Sequence, residues 1–177
     1  GNFLVESEFR FLEELIHYHL VADAWLVGYW QSNRYFQDYS AILCAELMPP
    51  RPTQKQFLDI GQKLRETESV ALGIRLYEES ANPSVHAKNG LMKSMAEVNS
   101  AIARLLVLQP NAKFFVFCTH RAPILAELNL PGSTIFLTHD DNYEGSLERL
   151  WLLTQCKHHI FTNSSYYWWG TWLSQNL

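Results

Sequence analysis

The 177-residue chain is expected to fold as an α/β protein around a doubly wound parallel sheet. Three observations carry that expectation. From residue 53 onward, short apolar runs alternate with amphipathic stretches. One run, Phe114-Phe115-Val116-Phe117-Cys118, is apolar throughout, as strands covered on both faces are. The stretch Met48-Pro49-Pro50-Arg51-Pro52-Thr53 holds three prolines, which end any helix or central strand, and it divides this regular part from an aromatic-rich segment before it. The expected division is a partial N-terminal segment over 1–50 and a doubly wound domain over 51–177.

Taken in order, Phe9, Leu12, Leu15, Ile16 and Tyr18 recur at roughly helical spacing and Ser7 can cap them, which predicts a helix over 7–20. Residues 26–32 read as a short strand and 34–45 as a second short helix. Beyond the prolines, 53–65 reads as a helix and 69–74 as a strand. A helix follows over 91–108, with Met95, Val98, Ile102 and Leu105 on one face. The apolar strand at 114–118 leads to a short helix over 122–128 and a turn at Pro131-Gly132. A strand over 134–137, a helix over 147–156, a strand over 159–162 and a helix over 164–173 complete the chain. This alternation predicts parallel strands joined by right-handed crossovers.

Composition narrows the function classes. The chain is 47% hydrophobic and 18% charged, which suits a packed globular protein and not a disordered one. Its net charge of −4, without a long run of one sign, argues against nucleic acid as a partner. Cys44, Cys118 and Cys156 form neither a disulfide framework nor a zinc pattern, which suggests a reducing compartment. His158 and His159 are adjacent, and no histidine pair has helix-face metal spacing, so no metal site is expected. No apolar run reaches the about 18 residues needed to span a bilayer, and the first residues lack a signal-peptide pattern. The chain opens on Gly1 instead of Met and is expected to be a fragment or trimmed form.

Ligands of open parallel sheets bind beyond the carboxyl ends of the strands. Those ends carry Arg75-Leu76-Tyr77-Glu78-Glu79, Thr119-His120-Arg121, Thr138-His139-Asp140-Asp141-Asn142-Tyr143 and Asn163-Ser164-Ser165. The last is the most specific: small polar residues between an apolar strand and a helix start offer free N–H groups and the positive end of the dipole to a phosphate. The same residues equally make a plain N-cap. Arg75 follows a buried strand directly, and its guanidinium can hold a diphosphate or pair with Glu78 or Glu79 at the surface. Trp168, Trp169 and Trp172 either stack on sugar rings or pack against the sheet. Asn163-Ser164-Ser165 also matches a glycosylation sequon, which is discounted at a strand end of a chain read as cytoplasmic.

The stretch from Leu152 to Leu173, with Cys156-Lys157-His158, Asn163-Ser164-Ser165 and Trp168-Trp169-Gly170-Thr171-Trp172-Leu173, resembles one carried by the α-1,2-fucosyltransferase family. So do Gly28-Tyr29-Trp30-Gln31-Ser32 with Arg34-Tyr35-Phe36, Lys113-Phe114-Phe115-Val116-Phe117, and the segment from Asp141 through Glu144-Gly145-Ser146. The resemblance implies a GT-B-like arrangement of Rossmann-like domains, with residues 51–177 binding the nucleotide sugar and 1–50 on the acceptor side. It implies GDP-fucose as donor substrate, a glycan acceptor, an α-1,2 linkage formed with inversion, and no cofactor or metal, the diphosphate being neutralised by Arg and backbone N–H groups. By position, Arg75 would clamp the diphosphate, and Asn163, Ser164 and Ser165 would hold the β-phosphate. Thr119 and His120 stand where an acidic residue would meet guanine, with Asp140 or Asp141 as substitutes. The family's His-x-Arg-Arg-Gly-Asp is here Gly73-Ile74-Arg75-Leu76-Tyr77-Glu78, and its Gly-Gly-Leu-Gly-Asn-Gln segment is absent. Candidates for the base that deprotonates the acceptor are Glu78, His86 and Asp141. The resemblance also implies a cytoplasmic place, at the inner face of the membrane with peripheral association. Two functions follow: an active transferase, or a binding module that keeps the phosphate pocket without the chemistry.

Overall fold

The computed structural model describes residues 2–6, 11–16, 23–30, 32–77, 80–88 and 92–174. The chain divides into two compact units, Gly1–Met48 and Pro49–Leu177.

In the first unit, β1 (Asn2–Val5) and β2 (Ala24–Val27) pair in parallel, with Phe3 opposite Trp25. A parallel pair needs a crossover, and α1 (Glu13–Ile16) lies within it. Neither β1 nor this pairing is foreseen from sequence, and the strand expected over 26–32 ends at Val27. The Glu6 carboxylate accepts the N–H groups of Tyr29 (2.7 Å) and Trp30 (3.0 Å), which takes both out of any ladder. The helix expected over 34–45 opens as two 3₁₀ turns, Asn33–Tyr35 and Gln37–Tyr39, and becomes α2 at Ser40–Leu47. Ser7, the expected cap of the first helix, lies outside the described residues. No described residue of 1–48 is buried, and Phe3 and Trp25 are largely exposed.

The second unit begins with α3 (Lys55–Glu66) and β3 (Ser69–Gly73). The short α4 (Pro83–Lys88) follows, unforeseen although Pro83 at its first position is a helix-start signal. Next comes α5 (Met95–Leu108), which starts later than expected because Ser94 and Glu97 form a capping box. Then come β4 (Lys113–Phe117), the short helix expected over 122–128, which is a 3₁₀ helix at Pro123–Glu127, and β5 (Ile135–Phe136). The chain continues through α6 (Ser146–Thr154), β6 (His158–Phe161) and α7 (Ser165–Leu173).

The four strands form one parallel sheet in the order β5-β4-β3-β6, with Val70 opposite both Phe114 and His158. Because side chains alternate along a strand, each face meets a different helix layer. Val70, Leu72, Phe114 and Val116 pack with Met95, Val98 and Ile102 of α5 on one face. Ala71, Phe115 and Phe117 pack with Phe57 and Leu64 of α3, Trp151 to Leu153 of α6 and Tyr167 of α7 on the other. This is the expected α/β architecture, a parallel sheet with helices on both faces. The strand order reverses between β3 and β6, because α5 carries the chain over one face and α6 brings it back over the other. That reversal is a topological switch point, where the loops after adjacent strands part and leave a crevice.

Candidate active site

Two expected site segments meet at the switch point. The backbone N–H of Arg75, just past β3, donates to Thr162 Oγ1 at 2.8 Å, just past β6. Thr162 is 4% exposed, and its own N–H donates to Gly73 O at 2.9 Å. These two bonds tie the strand end that carries Arg75 to the residues that open α7. Ser164 is the N-cap of α7, with Oγ accepting from Tyr167 N at 3.4 Å; Ser165 is exposed in its first turn and Asn163 is exposed just before it. The capping reading of Ser164 is therefore realised. The remaining first-turn N–H groups of α7 still point out of the helix, beside a strand end that carries a guanidinium.

Gly73 makes this junction possible. A Cβ there would meet the Tyr167 ring at 2.6 Å, so only glycine lets the ring lie against β3. The buried Tyr167 hydroxyl then donates to Phe117 O at 2.8 Å, binding α7 to the end of β4. Past β3, the Arg75 guanidinium carbon lies 4.6 Å from the centre of the Tyr77 ring, whose other neighbour is the His86 imidazole, stacked at 4.1 Å. Tyr77 holds this place with φ of 56°, a left-handed conformation that a tyrosine seldom adopts. His86 Nε2 is 3.0 Å from Ser80 Oγ. Leu76 turns inward and is buried. Glu78 and Glu79 lie outside the described residues.

Thr119 and His120 follow β4, and Asp141 follows β5, on the same sheet edge but farther from the switch point. Adjacent strands are about 4.8 Å apart, so the ends of β5 and β6 are about 14 Å from one another. Thr119 contributes its carbonyl to His139 N at 3.0 Å. His120 is exposed, with Nδ1 2.9 Å from Asp140 Oδ1; the other Asp140 oxygen accepts from Arg121 N at 2.7 Å. That amide bond and the imidazole hold the Asp140 carboxyl below the usual carboxylate range. Asp141 is committed to protein partners. Both its oxygens accept from the Arg121 guanidinium and one also from Thr138 Oγ1 at 2.6 Å. Burial alone would raise its pKa, but these bonds hold it below the usual range. As a base contact or a general base, Asp141 is thus opposed by its own hydrogen bonds.

Tyr167 and Thr162 carry the junction yet are not among the expected site residues. Thr162 was legible as the first polar residue after an apolar strand. Tyr167 was not, since one aromatic among Tyr166 to Trp169 carries no local mark. The inward face of α7 is Tyr167, Gly170 and Leu173, while Trp168, Trp169 and Trp172 form a half-buried ladder with ring centres 4.9 and 5.5 Å apart. Among the described residues, no group of three His, Cys, Asp or Glu side chains could hold a metal ion, and no helix is long and apolar enough to cross a membrane.

The model of glycosyl transferase family 11 matches residues 12–176, nearly the whole chain. The chain belongs to glycosyltransferase family 11. It is also 30% identical, over 151 residues, to an alpha-1,2-colitosyltransferase of Escherichia coli, a match that covers 83% of this chain and 50% of that relative. The chain therefore spans about half the length of the curated relative it matches. No solved structure matches. This chain carries Arg75 just past β3 and holds that strand end against the start of α7 through Thr162.

Proposed function

We propose that this chain is the donor-binding part of an inverting glycosyltransferase of GT-B architecture. It moves L-fucose from GDP-fucose onto a galactoside hydroxyl of a cell-surface glycan, in α-1,2 linkage, at the cytoplasmic face of a membrane. Family membership supports glycosyl transfer, and the name of the E. coli relative supports the α-1,2 linkage while giving colitose as the sugar. The observation that carries the reading is the 2.8 Å bond from Arg75 N to Thr162 Oγ1, which brings a guanidinium-bearing strand end beside a helix start at the switch point.

In such a transfer the acceptor oxygen attacks the anomeric carbon while the bond from that carbon to the diphosphate oxygen breaks. The sugar gains oxocarbenium character and the diphosphate gains negative charge. Arg75, with N–H groups of the Asn163–Ser165 segment, stabilises that charge more as it grows, which is what lowers the barrier. The nucleoside extends from the switch point toward the ends of β4 and β5, where Thr119 and His120 present polar groups. His86, facing Ser80 and stacked on Tyr77, is the candidate base among the described residues.

Calorimetric titration with GDP tests the reading. Arg75→Ala is expected to weaken binding by about 1.5–3 kcal/mol, the range for hydrogen bonds to charged groups. Equal affinity in the two proteins would refute the role of Arg75. Transfer assays with GDP-fucose then separate enzyme from module: tight nucleotide binding without transfer or donor hydrolysis favours the module, and binding of UDP but not GDP ends the fucose assignment.

A further inference from the structure

Arg149 lies in the first turn of α6, on its inward face, and is 7% exposed. Its guanidinium reaches a backbone carbonyl and an imidazole. Nη2 donates to Cys118 O at 2.7 Å, and Nη1 lies 3.2 Å from His139 Nε2. Nε is buried without a hydrogen-bond partner. No described carboxylate forms an ion pair with Arg149: Asp140 is taken by His120 and Arg121 N, Asp141 by Arg121 and Thr138, and Glu148 accepts from Gln54 at 3.4 Å. The helix adds to the imbalance, since a cation in a first turn meets the positive end of the dipole. A guanidinium stays charged at any physiological pH, and a buried charge without a counter-ion is strongly disfavoured.

The place of this cation suggests what offsets it. Cys118 directly follows β4, His139 lies three residues past the end of β5, and Phe117, next to Cys118, accepts from the Tyr167 hydroxyl of α7. Arg149 is therefore set under the ligand-facing sheet edge, behind the start of α7. We infer that Arg149 is the fixed half of a charge pair whose other half arrives with the ligand: its field, acting through the buried residues Cys118 and Thr138 of the sheet edge, holds the diphosphate of the donor nucleotide together with Arg75. The inference rests on reading that edge as the diphosphate site. In this role Arg149 is a positioning residue that acts without touching the reacting atoms.

GDP and uncharged guanosine, each titrated into wild type, Arg149→Gln, Arg149→Lys and Arg75→Ala, test it. Arg149→Gln keeps a donor for Cys118 O but no charge. It is expected to weaken GDP at least tenfold and leave guanosine unchanged, while Arg149→Lys stays within threefold of wild type for both. Equal losses for GDP and guanosine in Arg149→Gln, as a merely structural role requires, would overturn the inference, and so would an unchanged GDP affinity. If Arg149→Gln does not fold, Arg149→Lys decides alone: affinity within threefold supports the field effect and a tenfold loss overturns it. Unchanged GDP binding in Arg75→Ala would instead remove the diphosphate reading beneath it.

Discussion

Gly73→Ala probes the joint on which the site depends. The backbone at Gly73 does not adopt positive φ, so alanine meets no torsional penalty there and the whole effect comes from contact. Its Cβ would stand 2.6 Å from Tyr167 Cγ and 2.8 Å from both Cδ atoms. Carbon atoms rest at about 3.5–4.0 Å, so the ring must retreat by about 1 Å. The Tyr167 hydroxyl, now 2.8 Å from Phe117 O and 3.4 Å from Ile74 O, then passes beyond bonding range. Overpacking costs about 1–3 kcal/mol, and a buried phenol left without its acceptor costs about 1–3 kcal/mol more. Urea unfolding of Gly73→Ala should thus show a loss of about 2–6 kcal/mol. The same alanine in a Tyr167→Ala background has no ring to displace and should cost almost nothing, so the double-mutant cycle should return nearly the full single-mutant value as coupling. Tyr167 is the third residue of α7, so GDP affinity should fall in Gly73→Ala as the helix start shifts. Additivity within about 0.5 kcal/mol would refute the argument that the ring and the missing Cβ share one space.

Two further outcomes follow from the electrostatics. Burial pushes the pKa of His159 down to about 4, and its Nε2 is enclosed without a partner. Between about pH 6.5 and 4 the unfolded chain binds a proton that the folded one refuses, so stability is full above that window and is lost as the pH falls through it. The loss is at most about 3 kcal/mol, and His159→Gln should flatten the acid limb of a stability–pH curve; an unaltered limb would count against it. Asp141→Asn removes the charged partner of Arg121, itself half-exposed, and should cost on the order of 1 kcal/mol in thermal or urea unfolding. It should leave nucleotide affinity nearly unchanged, because the carboxylate serves the protein; a large selective loss of GDP binding would return Asp141 to the ligand.

Regular elements were legible wherever one local pattern governed them. The apolar run at Phe114 to Cys118 became a central strand because backbone ladders on both sides and helices on both faces leave no place for a polar side chain. The start of α7 was readable because Ser164 caps the chain within three residues of itself. The first unit read less well. Glu6 stops β2 from 23 residues away, and no window of local sequence contains both. Arg149 was not among the expected site residues, although its position three and four residues before Leu152 and Leu153 sets it on the inward face.

By itself the sequence determined the alternation of strand and helix and the polar residues that follow each strand, for apolar period and capping chemistry act over a few neighbouring residues. Which strand ends stand side by side was a tertiary decision. It turned on α5 and α6 crossing opposite faces of the sheet, so that β3 and β6 became neighbours and Arg75 came beside Thr162. The commitment of Asp141 to Arg121, and the burial of Arg149 without an ion pair among the described residues, were settled in the same way. A carboxylate or guanidinium carries the same charge wherever it lies, and only the packed structure sets which partner, or none, it finds.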